Sequence, residues 1–247
     1  FLMLFLAVSL GFMAENIREG YIEKERSHEL VSSFIRDVEL NVVLMDSLIQ
    51  SNKKSLLKSD SIALYIVKTK KDIDLKVVYD IPVVSYRYLN NNDTYDQMKS
   101  SGSLRYVKDT VLLRKMIEYS NLSKATEFRS VTQEYDYTKN EFQNTLNKYI
   151  PIEIAANKHS TSITSIKTFH KLFSSDSNHV KFFQETKDLV NGKTFMLDNS
   201  MLPTFKKEIV PVIYRKTSLM YASMNFMYMT RRSAIELLEY YKTHNQH

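Results

Sequence analysis

Residues 17–49 read Ile-Arg-Glu-Gly-Tyr-Ile-Glu-Lys-Glu-Arg-Ser-His-Glu-Leu-Val-Ser-Ser-Phe-Ile-Arg-Asp-Val-Glu-Leu-Asn-Val-Val-Leu-Met-Asp-Ser-Leu-Ile. Apolar side chains recur here at steps of four and three: Ile17, Tyr21, then the polar Lys24 and His28, then Val31, Ile35, Val38, Val42, Met45 and Ile49. That alternation is the signature of a heptad seam, one face of a long helix. A second stripe, Leu30, Phe34, Leu44 and Leu48, widens the face toward that of a bundle helix. The stripe from Val31 to Ile49 is therefore assigned as a buried or partner-binding surface, covered either by the chain's own helices or by another protein. No proline occurs before Pro82, so one helix is expected to run through the region to about Ser55, with a second stretch around Ser61–Thr69.

Upstream, Phe1–Ala14 is free of charge and Glu15 ends the run. Fourteen helical residues span about 21 Å, short of the roughly 30 Å hydrocarbon core of a bilayer. The run is therefore read as the C-terminal part of a membrane helix whose beginning lies upstream of Phe1. A signal-peptide core has a similar length, but Ala14 leads directly into the amphipathic helix without a small-x-small cleavage site. Ala7 and Gly11, four apart, are candidates for close packing against a second membrane helix.

Composition points the same way. Four glycines and four prolines in 247 residues leave little punctuation for tight turns, which favours long helices over a sandwich or barrel. Cysteine is absent, which excludes disulfides, thiolate metal sites and cysteine nucleophiles. Net charge is +6, yet residues 15–39 carry seven acids against four bases. The excess of bases elsewhere is scattered in short pairs such as Lys53-Lys54 and Arg231-Arg232 rather than gathered into a nucleic-acid footprint.

Residues 73–89 are rich in valine and tyrosine and contain Pro82, so an extended connector or short hairpin is expected there. Thr94 with Gln97 suggests a capping box for a helix closed by Gly102. Asp109 is placed to cap a helix with Leu112, Leu113, Met116 and Ile117 on one face. A helix over Ser123–Tyr149, a Ser/Thr-rich loop over Asn157–Ser165, a helix over Asn178–Asn191 stopped by Gly192, and a final helix disturbed at Pro211 complete the reading. The fold class is all-α: membrane helix 1–14, helical stalk 15–58 and an irregular helical bundle 59–247, with one short extended connector.

Two landmarks carry a resemblance. One is the membrane exit Ala14-Glu15-Asn16-Ile17-Arg18-Glu19. The other is Tyr95-Asp96-Gln97-Met98-Lys99-Ser100-Ser101-Gly102-Ser103-Leu104-Arg105. Together they resemble the uncharacterised Bacteroidetes-type single-pass inner-membrane proteins, a family of unknown function, with Met98 in place of its usual leucine and Ser103 in place of asparagine. The resemblance implies a short basic segment upstream, insertion in the bacterial inner membrane and a periplasmic main domain. It implies no catalytic residue. Read from the residues alone, Gly102 closes a helix, Leu104 folds back as the accompanying apolar contact, and Arg105 bridges to a carboxylate or a helix C-terminus.

No motif for chemistry is assembled. The six histidines form no i, i+4 pair, and the phosphate-binding, dinucleotide and nucleophile-elbow patterns are all missing. Glu134 and Asp136 are two apart and face different ways on a helix. The methionine-rich stretch with Met220, Met224, Met227 and Met229 suits either a core stripe, adaptable partner binding or a soft metal. The sequence thus leads to a non-enzymatic, membrane-anchored scaffold without cofactor, catalytic residue or metal. Its partners are expected to be other envelope proteins or a second copy, and not nucleic acid. The alternative is an extracytoplasmic helical bundle that senses a ligand.

Overall fold

A computed structural model describes residues 2–82, 86–157 and 177–244. Among these residues the chain is all-α, with short 3-10 and π-helical turns and no strand. Helix α1 spans Leu2–Lys68 as one element of 67 residues. The break expected between Ser55 and Ser61 does not occur. No glycine or proline lies there, and the Ser59 and Ser61 hydroxyls donate to the Ser55 and Leu57 carbonyls one turn back, at 3.0 and 2.8 Å. Those serines satisfy themselves on the helix instead of opening it. The helix ends where Lys206 donates to the carbonyls of Val67 and Thr69 and Asp72 takes a left-handed φ of 61°.

The elements that follow are α2 (Leu75–Tyr79), α3 (Asp93–Ser101), a 3-10 turn (Ser103–Tyr106) and α4 (Thr110–Phe128). Then come a π segment (Arg129–Glu134), α5 (Tyr135–Tyr137), a second π segment (Thr138–Phe142) and α6 (Gln143–Asn147). After these, α7 covers Ser177–Asp188 and α8 covers Leu202–His244. Pro211 lies inside α8 without ending it, on an exposed face where water can take the freed carbonyl. The loop expected over Asn157–Ser165 lies, beyond Asn157, outside the described residues.

The chain packs as two compact units, each drawn from segments distant in sequence. The first comprises Phe1–Ser51, Tyr86–Thr132 and Ala222–His247; the second comprises Asn52–Ser85 and Gln133–Tyr221. Helices α1 and α8 each supply core residues to both units. Their seams show why. In α1 buried positions fall at Ser27, Val31, Phe34, Val38, Asn41, Met45, Leu48 and Asn52, in steps of four and three. In α8 they fall at Ile209, Ile213, Lys216, Met220, Ser223, Met227, Thr230, Ala234 and Leu237, with the same alternation. A 3.5-residue repeat keeps one face turned inward over many turns.

In the first unit, Phe34 packs near the rings of Tyr95 and Tyr119 with centroids 5.7 and 6.0 Å apart, alongside Met98, Leu112, Met116 and Leu237. A neighbouring cluster joins Met45, Leu48 and Ile49 to Tyr88, Met224 and Met227. The buried face of α4 is Leu112, Met116, Tyr119, Ser120 and Ser123, whereas Ile117 is exposed. In the second unit Ile62, Ile66, Ile73, Val78 and Ile81 meet Phe142, Phe205, Ile209 and Ile213.

The extended connector expected at 73–89 is corrected in part. Asp74 accepts from the Lys76 N–H and starts the short helix α2. The only β pairing among the described residues is one bridge, Asp74 with Met196, flanked by Leu75 N–H to Phe195 and Leu197 N–H to Ile73 at 2.8 Å each. The segment therefore pairs across the second unit and not with itself as a hairpin. The capping box is also corrected: α3 begins at Asp93, and the Thr94 hydroxyl donates to Asp37 of α1 instead of capping its own helix.

Candidate functional site

The first candidate is the start of α1. Leu2, Met3, Phe5, Leu6, Val8, Leu10, Phe12 and Met13 are all exposed, from 46% at Leu6 to 84% at Met3. An apolar helix exposed all round its circumference ordinarily has a cover, protein or lipid. Ala7 is exposed too, and a side-chain carbon added at Gly11 would meet nothing within 4 Å, so no second helix packs there among the described residues. Beyond the apolar run, Glu15 with Arg18 and Glu23 with Arg26 form i, i+3 pairs at 2.6 and 2.7 Å. These charges mark the change from an apolar to a hydrated helix. No helix of the described residues is long and apolar enough to cross a membrane.

The stripe assigned to partner binding lies elsewhere. Val31, Ile35, Val38, Met45 and Ile49 are buried and Val42 is half-buried, all against the first unit's own helices. Of the two coverings left open by the sequence, the structure has the internal one, because α3, α4 and α8 occupy that face. What α1 leaves outside in this region is Leu40, Val43 and Leu44. The landmark around Gly102 is a local structural device. Gly102 has φ +75° and donates its N–H to Lys99, and Leu104 packs on the first unit's core. Among the described residues Arg105 has no carboxylate partner: its guanidinium lies 4.7 Å from the Tyr106 ring and donates to that hydroxyl at 2.8 Å.

Buried polar residues in the seams form the second candidate, and the sequence reading missed them. In the first unit Asn41 donates to the Asn91 carbonyl and the Tyr119 hydroxyl at 2.9 and 3.0 Å and accepts from the Asn91 N–H at 3.1 Å. The Tyr88 and Ser123 hydroxyls share a bond of 2.8 Å, and Thr126 shares one of 2.7 Å with Thr230. Burial pushes the Tyr88 and Tyr119 hydroxyls above their ordinary pKa, so both stay neutral. In the second unit Lys216 is fully buried. Its ammonium lies 3.2 Å from the Met220 sulfur and 5.6 Å from the Phe142 ring centroid. Burial lowers its pKa to about 8, against the opposing pull of the Glu134 carboxylate, itself buried. The signal for these residues was their register: Lys216, Ser223 and Thr230 are seven apart, in step with the apolar seam positions of α8.

No group of three or more His, Asp or Glu side chains is placed to hold a metal ion among the described residues. His28 is exposed, and His244 stacks on Tyr240 with centroids 4.1 Å apart. His159, His170 and His247 lie outside the described residues, as does the side chain of His179. Of the methionines singled out, Met220, Met224 and Met227 are core and Met229 is exposed. No protein-family model, curated protein or solved structure matches the chain.

Proposed function

We propose that this chain is a membrane-anchored helical scaffold, fixed to the bacterial inner membrane by the start of α1, with its packed units in the periplasm. The observation that carries the reading is the sleeve of exposed apolar side chains from Leu2 to Met13, ended by the Glu15–Arg18 pair. At about 25 cal/mol per Å², leaving that much apolar surface in water is costly, and lipid relieves the cost. The scaffold role follows from what the units offer. The described residues form buried helical seams and leave apolar side chains of α1 outside them. With the Val31–Ile49 stripe taken up internally, docking falls to exposed apolar residues such as Leu40 and Val43 of α1. The partner is another envelope protein or a second copy.

Purification of the full chain from native membranes in mild detergent, with identification of what accompanies it, tests the reading. A stoichiometric partner or a dimer is expected, weakened by Val43→Asp. A monomer that brings nothing with it contradicts the scaffold role.

A further inference from the structure

Lys216 is a fully buried ammonium in the second unit. Its ammonium has three protons to donate. The hydrogen bond it makes is to a thioether, a weak acceptor, and an aromatic face lies on one side. Glu134 is the carboxylate whose charge acts on it. Both belong to helices that hold them in place. Lys216 occupies a seam position of α8, between Ile213 and Met220. Glu134 and Phe142 lie eight apart on one buried face of the helical run that passes through both π segments. Thr138 sits midway between them, buried, and its hydroxyl has no hydrogen-bond partner. π-helical turns are frequent where a helix makes room for a polar group it cannot otherwise accommodate.

We propose that Lys216, opposed by Glu134, is a proton-operated switch in the second unit: the seam is loosened while the lysine is charged and tightens when its proton leaves. Several other charged groups on the flanking elements are engaged elsewhere. Arg215 lies over the Tyr137 ring at 5.1 Å, Asp60 of α1 accepts from Tyr221, Lys148 pairs with Glu208 and Lys58 pairs with Asp80. Glu141 acts on Tyr137, whose hydroxyl donates to the Val212 carbonyl. The sign follows from proton counting. The folded lysine gives up its proton near pH 8, whereas in the unfolded chain it does so near the ordinary value of about 10.4. Between those values the unfolded state holds more protons, so stability rises with pH.

Hydrogen exchange of the full chain in detergent, corrected for the intrinsic pH dependence of exchange, reads the switch in the amides of 134–146 and 209–220. Their protection is expected to rise severalfold from pH 7 to pH 9.5 in the natural chain. In Lys216→Met it should be high and flat across that range. Glu134→Gln should move the midpoint to lower pH, since the carboxylate holds the proton on Lys216. Carbon-13 NMR of labelled lysine in the natural chain gives the same answer without a substitution, as one lysine titrating well below the others. A Lys216 resonance titrating with the bulk, or protection that rises equally in Lys216→Met, overturns the proposal.

Discussion

Asn41 shows what a single polar residue does in a heptad seam. Its amide closes a ring with the Asn91 backbone, donating at 2.9 Å and accepting at 3.1 Å, and also meets the Tyr119 hydroxyl. The segment after Tyr88 is not helical, so its backbone groups need partners from outside. Asn41 supplies them. Asn41→Leu keeps the volume and leaves those groups unpaired, for an expected loss of about 2–4 kcal/mol. Urea denaturation of the full chain measures it; unchanged stability would show that the amide is dispensable. Asp109 works by the same logic at a helix start. Burial acts to raise its pKa, but the Leu112 N–H, the Tyr240 hydroxyl and the Val111 N–H together outweigh that and hold it below its ordinary value. A carboxylate so held stabilises the fold above its unfolded pKa and ceases to as pH falls through its lower folded value. Asp109→Ala should therefore cost about 1 kcal/mol at pH 7. Below about pH 4, where an aspartate takes up its proton in the unfolded chain, the gap between variant and natural chain should shrink.

At the scale of elements, the helical run from α4 to α6 explains both what the sequence disclosed and what it concealed. Its buried positions Thr126, Ser130, Glu134, Thr138, Phe142 and Leu146 recur every four residues. An α-helix of 3.6 residues per turn cannot keep that stripe on one side, and the wider i→i+5 turns at Arg129–Glu134 and Thr138–Phe142 take up the difference. Four of those six residues are polar, so a search for apolar periodicity passes over them. The same blindness hid Asn41 and Lys216, while the apolar members of the α1 seam, Val31, Val38 and Met45, were readable from spacing alone. Cap chemistry was readable at Asp109 and Gly102, where the side chain or the lack of one acts within its own turn. It failed at Thr94, whose partner, Asp37, is 57 residues away. Gly102→Ala isolates the local effect. The added carbon meets nothing within 4 Å, so the cost is that of φ +75° alone, about 1–2 kcal/mol. A shift in melting temperature reads it; a neutral substitution would mean that the turn relaxes at no cost.

The whole molecule has two packed units and an apolar helix end, Leu2–Met13, that is exposed among the described residues. The orientation assigned to it has a clean test because the chain lacks cysteine. Asn121→Cys, on the exposed side of α4, should react in intact cells with a maleimide that crosses the outer membrane but not the inner one. Labelling only after the inner membrane is broken would put the units in the cytoplasm. The more basic claim is that lipid covers Leu2–Met13. Extraction of membranes carrying the full chain with alkaline carbonate strips proteins held by charge or by other proteins and leaves those held in the hydrocarbon. The chain is expected to stay with the sedimented membranes; its release into the supernatant would contradict the anchor.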